Sequence, residues 1–485
     1  MRVVPAVPAS IARPRLVAEY SFVAYPAPVV AAPALVAAFR TGPLVAWSAP
    51  ASRVTTATAT TSLIDAARTP QVIVGMGAAA ELRADGSARW RELIAQARTL
   101  IDNAQLIDLS GAGDHLVRPR LLGGVAFAPG AAGAAPWTDF GDAWFVLPRW
   151  TYVHDGTQGA LIFARRGTER VPANELADLR VALAMPFVSR PQPALTAIDH
   201  GDRDAWRGQV RAITDAIARG ESTKIVAARS AVVSLAGELR AADMLAELDA
   251  RHPETVRFLV RPGSGSGDTF VAATPERLVR LADGIASVDA LAGSAARPAA
   301  YQTTVQAGSD TPAHSIPACE NAKALLASGK DRREHAIVVD AIVSALQNLG
   351  ADVRFPDAPG IRKLRHVLHL HTPITAELRT QRHVLELAEA LHPTPAVGGT
   401  PTRAAIEWIA EREQTPRGWY SSPVGWFDAD GNGELAVAIR SGVLTGDRAH
   451  LWAGAGIVAG SDPDRELAET DLKLRAMLGA LGVSA

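Results

Sequence analysis

The chain writes nearly every positive charge as arginine, yet residues 222–230, STKIVAARS, place a lysine in an apolar strand, and the other lysines are only Lys323, Lys330, Lys363 and Lys473. Strand alternation puts Lys224, Val226 and Ala228 on one face and Ile225 and Ala227 on the other. Such an amine either snorkels to water or is desolvated until it serves as a base near neutrality. Glu276, in ATPERLVR, falls at a turn between two apolar segments. It is either an exposed turn carboxylate or a carboxyl in a partly dry cleft, its proton retained for general acid work. Glu334 shares a helical face of KDRREHAIVVDAIVSAL with Ile337, Val338, Ala341, Ile342 and Ala345. A carboxylate there needs a partner, and an ion pair and a metal ion both qualify.

Near the C-terminus, SDPDRELAETDLKLRAML marks a helix start with a cap at Ser461 or Asp462 and a proline in the first turn. Glu466, Glu469 and Lys473 then stack on one side, as a solvated i,i+4 pair or as part of a site. Two glutamates from separate helices could hold one magnesium ion and leave positions for substrate oxygens. Upstream, the glycines of WAGAGIVAGS let a backbone approach a ligand closely. Arg440 ends the apolar strand AVAIRSG, where a guanidinium can clamp a carboxylate. His369 and His371 face the same way along RHVLHLH; with no third ligand in view they read as a polar cleft wall. Two loops look like binding motifs and fail the test. GSGSGDT (263–269) has no lysine after its glycines, and DADGNGE (428–434) has Ile439 where a calcium loop needs a bidentate glutamate. Both read as hairpin turns.

The elements that must carry these residues are short strands interleaved with helices, without a regular βαβ rhythm, which predicts α+β layers. Residues 1–195 form an α+β region with helices near 85–102 and 173–184, and 189–204 is the best linker. The catalytic region, 196–485, opens with an amphipathic helix over 204–219 and the Lys224 strand; a further helix starts near 239. With 485 residues, 48% of them hydrophobic, the chain can bury a large core. A net charge of -1 argues against nucleic acid or an acidic membrane surface as partner. The lone Cys319 excludes an internal disulfide, and no signal peptide or membrane-spanning run is evident, so a cytoplasmic protein is expected.

Taken in order, KIVAARS, ATPERLVR, DALAGSAAR, KDRREHAIVVD, HVLHLHT, HPTPAVGG, AIRSG and GAGIVAGSDPDRELAETDLK resemble the chorismate-utilising enzymes over about residues 203–482. The resemblance implies their fold, stacked antiparallel β-sheets forming a sandwich flanked by helices, with the first 195 residues completing the layers. It implies chorismate as substrate and Mg2+ as cofactor, held by Glu334 and Glu469 with Glu466 close by. Arg440, the backbone of Gly454 and Gly456, and Lys473 would hold substrate carboxylates. Gly293, Ser294, His369, Ala396 and Tyr420 would line the ring pocket. Branches that add ammonia usually lack lysine at position 224, so the sequence is most similar to isochorismate synthases, with Lys224 as base and Glu276 as acid. Salicylate synthase, which goes on to eliminate pyruvate, is the alternative, and an ammonia-using anthranilate or aminodeoxychorismate synthase component the more distant one. No glutaminase subunit and a monomer are expected. The segment 299–322 looks like an insertion relative to the family.

Overall fold

Two β-sheets stacked through an aromatic core build the molecule, a computed structural model that describes residues 19–51, 70–101, 104–263, 267–297 and 320–483. The larger sheet has thirteen strands among the described residues. Its order runs Leu195–Asp199, Lys224–Leu235, Arg448–Val458, Ser441–Thr445, Thr269–Thr274, Val256–Arg261, Leu44–Ser48 and Val72–Met76, and continues through Trp150–His154, Gly159–Arg166 and Tyr20–Ala27 to Gln105–Asp108. The short strand Gly399–Thr400 pairs with the start of Lys224–Leu235. The smaller sheet has ten strands, with Ile285–Ala296 and Val367–Leu378 at one end and Arg120–Val125, Ala143–Leu147 and Ala80–Arg83 at the other. Pairing is antiparallel except between Tyr20–Ala27 and Gln105–Asp108.

Alternation along the strands makes the layers. On Val256–Arg261, Phe258 and Val260 enter the inter-sheet core with Trp47 and Phe270, while Leu259 faces the opposite way. There it packs in a second core with Val271 and with Leu245 and Leu478, which come from the helices Ala241–Arg251 and Pro463–Ala480. Trp137 ties the layers, its ring 5.1 Å from Phe270 and 4.9 Å from Trp452.

The expected helices stand at Arg89–Ile101, Ala173–Ala184, Arg203–Ala218 and Ala241–Arg251. Asp202 caps the third, its side chain accepting from the backbone of Asp204 and Ala205. DADGNGE is the turn joining Pro423–Asp428 to Gly433–Val437. Two expectations need correction. The stretch 189–204 contains the edge strand Leu195–Asp199, paired with Lys224–Leu235; mostly exposed, it carries no apolar alternation to announce it. The buried stripe of the helix Gly329–Asn348 is His335, Val338, Val339, Ile342 and Leu346, so Glu334 stands at its margin, half-buried, rather than within it. Residues 264–266 of the Gly-rich hairpin, Cys319 and most of the 299–322 insertion lie outside the described residues. Among the described residues no helix is long and apolar enough to cross a membrane.

Twice the chain passes from one sheet to the other at neighbouring points. Thr269–Thr274 lies in the larger sheet and Arg277–Ala282 in the smaller, linked by Pro275 and Glu276. Gly433–Val437 lies in the smaller and Ser441–Thr445 in the larger, linked through Arg440. The crossovers are bonded together: Val437 N donates to the Glu276 carbonyl at 3.0 Å, and Ala273 N to the Arg440 carbonyl at 3.1 Å.

Candidate active site

The sheet crossovers open a cleft, and every residue singled out as catalytic, substrate-binding or metal-binding lines it. Lys224 opens its strand with the side chain on the cleft face. Register sets Val226 opposite Gly456 and Ala228 opposite Gly454. Those glycines make the room. A Cβ on Gly456 would stand 2.8 Å from Lys224 Cε and 3.0 Å from Glu334 Oε1, and one on Gly454 would stand 3.1 Å from the Tyr420 hydroxyl. Lys224 is 1% exposed, and its Nζ donates to Glu334 Oε1 at 2.7 Å. The lysine is therefore neither a snorkelling strand end nor a free amine here.

Glu276 and Arg440 hang from the crossovers. Arg440 and nearby Ser421 hold positive φ, 53° and 61°, a left-handed backbone that non-glycine residues adopt at a cost when a site requires it. Glu276 is pushed up to about 8, chiefly by burial and then by the negative charge of Asp289; Arg440, Lys224 and Lys473 pull the other way. Burial followed by the Arg440 charge holds His369 well below the ordinary histidine range, so its ring is neutral near pH 7. Its Nδ1 lies 3.1 Å from Ser294 Oγ, and its Nε2 faces the Arg440 guanidinium at 3.5 Å. Gly293, at φ 73°, forms a bulge between Ala292 and Ser294 that re-aims Ser294 towards His369.

On the far wall the helix Pro463–Ala480 starts at Asp462, whose side chain caps Arg465 N at 2.9 Å. Spacing of three and four residues turns Glu466, Glu469 and Lys473 into the cleft. Lys473 Nζ pairs with Glu469 Oε1 at 2.7 Å and donates to the Gly454 carbonyl at 2.8 Å. Burial raises the Glu466 carboxyl and the like charge of Glu469 adds to it; Glu469 itself, partly desolvated, is drawn down by Lys473. The expected metal trio thus converges on the cleft without forming a cage. Glu334 and Glu469 are each turned onto a lysine, whose amine competes for the same oxygens, and among the described residues no three metal-ligating side chains are grouped.

Ala396 and Tyr420 complete the cleft from loops that buried Arg417 fastens. It donates to the Val397 carbonyl at 2.8 Å and the Val226 carbonyl at 2.6 Å, and pairs with Glu413. Sequence reasoning missed Lys330 and Asp331, at the start of the Glu334 helix, both of which line the cleft. The scarcity of lysine was the available signal, since three of the five, Lys224, Lys330 and Lys473, meet here. Asp289 was missed too, although an aspartate inside IASVDALAGS is as out of place as Lys224 in its strand. His371 does share the face of His369, but it turns to Asp289, at 2.8 Å, rather than lining the cleft.

Comparison with known proteins shows the family of the chain. The chorismate binding enzyme family model matches residues 45–482. The salicylate biosynthesis isochorismate synthase of Pseudomonas aeruginosa is 36% identical, the match covering 84% of this chain and 82% of that protein. The isochorismate synthase MenF of Bacillus subtilis is 33% identical over 84% of this chain and 85% of its own. Among solved structures, the 2,3-dihydroxybenzoate-specific isochorismate synthase DhbC of Bacillus anthracis superposes with a TM-score of 0.68 at 27% identity, covering 93% of this chain and 99% of that one. With its sandwich, its cleft and a family match over most of its length, the chain belongs to the chorismate binding enzymes.

Proposed function

We propose that the protein is an isochorismate synthase, adding water to C2 of chorismate as the C4 hydroxyl leaves. The observation that carries this reading is a lysine amine and a protonated carboxyl facing one cleft, Glu276 keeping its proton to about pH 8. Lys224 takes a proton from the water that forms the bond to C2. The ring double bonds shift, the C4–O bond breaks, and Glu276 gives its proton to the departing hydroxyl, which leaves as water. One water enters and one departs, so the ring is isomerised without change in composition. A proton then returns from Lys224 to Glu276 through solvent before the next turnover. Relatives of this chain that carry the name isochorismate synthase support the reading, as does Lys224, since ammonia as nucleophile needs no such base.

The remaining residues bind and orient. Arg440 and Lys473 supply the positive charge for substrate carboxylates, and the Gly454–Gly456 backbone lets them approach. Neutral His369, with Ser294, Ala396 and Tyr420, walls the ring. The donor set fits a hard divalent cation: the ligands are carboxylate oxygens, and the like charge of Glu469, which adds to the burial that raises Glu466, is what such a cation relieves. Glu334 and Glu469, with Glu466 beside them, would hold Mg2+, which supplies charge stabilisation for a bound carboxylate. Each of these glutamates gives one oxygen, Oε1, to a lysine, so the second carboxylate oxygen of each would be the one offered to the ion.

The test is to incubate purified protein with chorismate and Mg2+, without ammonia, and follow products by NMR. Isochorismate is expected, and its formation should stop when the ion is chelated. No conversion, or salicylate with equimolar pyruvate, would overturn the assignment.

A further inference from the structure

Behind the cleft wall lies a cluster of buried and partly buried charges that the proposed reaction does not use. In the smaller sheet Ser294 pairs with His369, Leu291 with His371 and Asp289 with Pro373, so alternation sets Asp289, Leu291, His369 and His371 on one face. Leu291, Ser294 and His369 line the cleft. Asp289 and His371 continue the same face one step behind it. His371 Nε2 donates to Asp289 Oδ1 at 2.8 Å, and Asp289 Oδ2 lies 3.4 Å from Arg362 and 3.7 Å from Arg277. Arg277, the residue after Glu276, also pairs with Glu434 at 3.2 Å. Despite burial, Arg277, Arg362 and His371 hold the Asp289 carboxyl well below the usual carboxylate range, so this anion is permanent. Arg440, Lys224 and Lys473 act on Glu276 as cations and Asp289 as an anion, while the cleft carboxylates Glu334 and Glu469 are each paired with a lysine. The cations favour ionisation of Glu276, and Asp289 opposes them.

We propose that Asp289 is a positioning residue for Glu276: a fixed anion, anchored behind the cleft by His371, Arg277 and Arg362, that keeps Glu276 able to donate a proton. The inference rests on Glu276 being the proton donor of the proposed reaction. Binding of substrate carboxylates is left to Arg440 and Lys473, because Asp289 itself does not reach the cleft.

The measurement is an infrared difference titration of the Glu276 carboxyl band in the unliganded protein, the band assigned by its loss in Glu276→Gln, together with the pH profile of kcat/KM. Turnover should fall as pH rises through the Glu276 value. In Asp289→Asn, which keeps the shape and removes the charge, both the band and that limb should move about one pH unit or more towards acid, the scale of a neighbouring like charge. Arg362→Gln removes a cation and keeps Asp289, so the midpoint should rise; this variant carries the test if Asp289→Asn does not fold. A band that titrates in Asp289→Asn where it does in the parent, or a midpoint that falls in Arg362→Gln, overturns the proposal. Full turnover by Glu276→Gln would instead remove the donor assignment, a separate failure because the infrared midpoint is read without turnover.

Discussion

Glu276 is a carboxyl whose ionised form the fold disfavours, since burial pushes it from 4.5 up to about 8. Between about pH 4.5 and 8 the folded chain keeps a proton that the unfolded chain has released, so Glu276 makes stability fall as pH rises across that window and contributes no slope outside it. Glu276→Gln cannot ionise. Its thermal midpoint should match that of the parent near pH 4 and exceed it near pH 9, while its turnover is lost, a combination expected of an acid tuned for chemistry and not for folding. Thermal scans of both proteins at the two pH values check this, and equal midpoints at alkaline pH would place the carboxyl in water. Lys224 has the opposite character, an amine already held by Glu334 at 2.7 Å. Its replacement by alanine removes a base and leaves Glu334 Oε1 without its donor. Lys224→Ala should keep metal-dependent chorismate binding by calorimetry and lose turnover by roughly two to four orders of magnitude.

At the scale of the element, strand glycines serve two different ends, one at Gly456 of Arg448–Val458 and the other at Gly425 of Pro423–Asp428. A Cβ on Gly456 meets the far end of the Lys224 side chain at 2.8 Å, which can swing away, whereas a Cβ on Gly425 would lie 1.9 Å from the Glu434 backbone oxygen, which cannot. Gly456→Ala should therefore fold with a near-parental thermal midpoint and lose about a hundredfold in turnover, the usual result of displacing a reacting group by an ångström. Gly425→Ala should fail at folding, seen as loss of soluble protein. If Gly456→Ala turned over normally, close packing against Lys224 would have no part in catalysis. The same elements mark how far the sequence could be read. Lys224, the glycine pair and the Asp462-capped helix were legible because alternation, backbone freedom and capping are local properties. The rotation of the Glu334 helix was not, because its margin is set by what lies across the cleft. Neither were the crossovers that place Glu276 and Arg440: a chain passing between two sheets reads the same as one turning within a sheet. Asp289 escaped for a related reason, its partners being Arg277, Arg362 and His371 from three other strands.

For the whole molecule the question is whether residues 196–485, which carry every candidate site residue, can stand alone. Their strands say otherwise. Val256–Arg261 pairs along its length with Leu44–Ser48, and Pro423–Asp428 with Arg120–Val125, so each sheet is continued by strands from before residue 195. The aromatic core is shared as well, Trp137 packing on Phe270 and Trp452, Phe140 on Trp419, and Phe145 on Phe427 at 5.1 Å. A chain beginning at 196 would expose two long strand edges and the apolar faces beside them, the arrangement that drives edge-to-edge association. It would also lose the rings of Trp137 and Phe140 from against Phe270, Trp419 and Trp452. Expressed alone, residues 196–485 should aggregate or collapse without fixed aromatic packing, read by size-exclusion chromatography and near-ultraviolet circular dichroism. A monomeric, cooperatively unfolding fragment that still converts chorismate would show that the early strands only decorate the sheets, and that the cleft is braced by its own half of the chain.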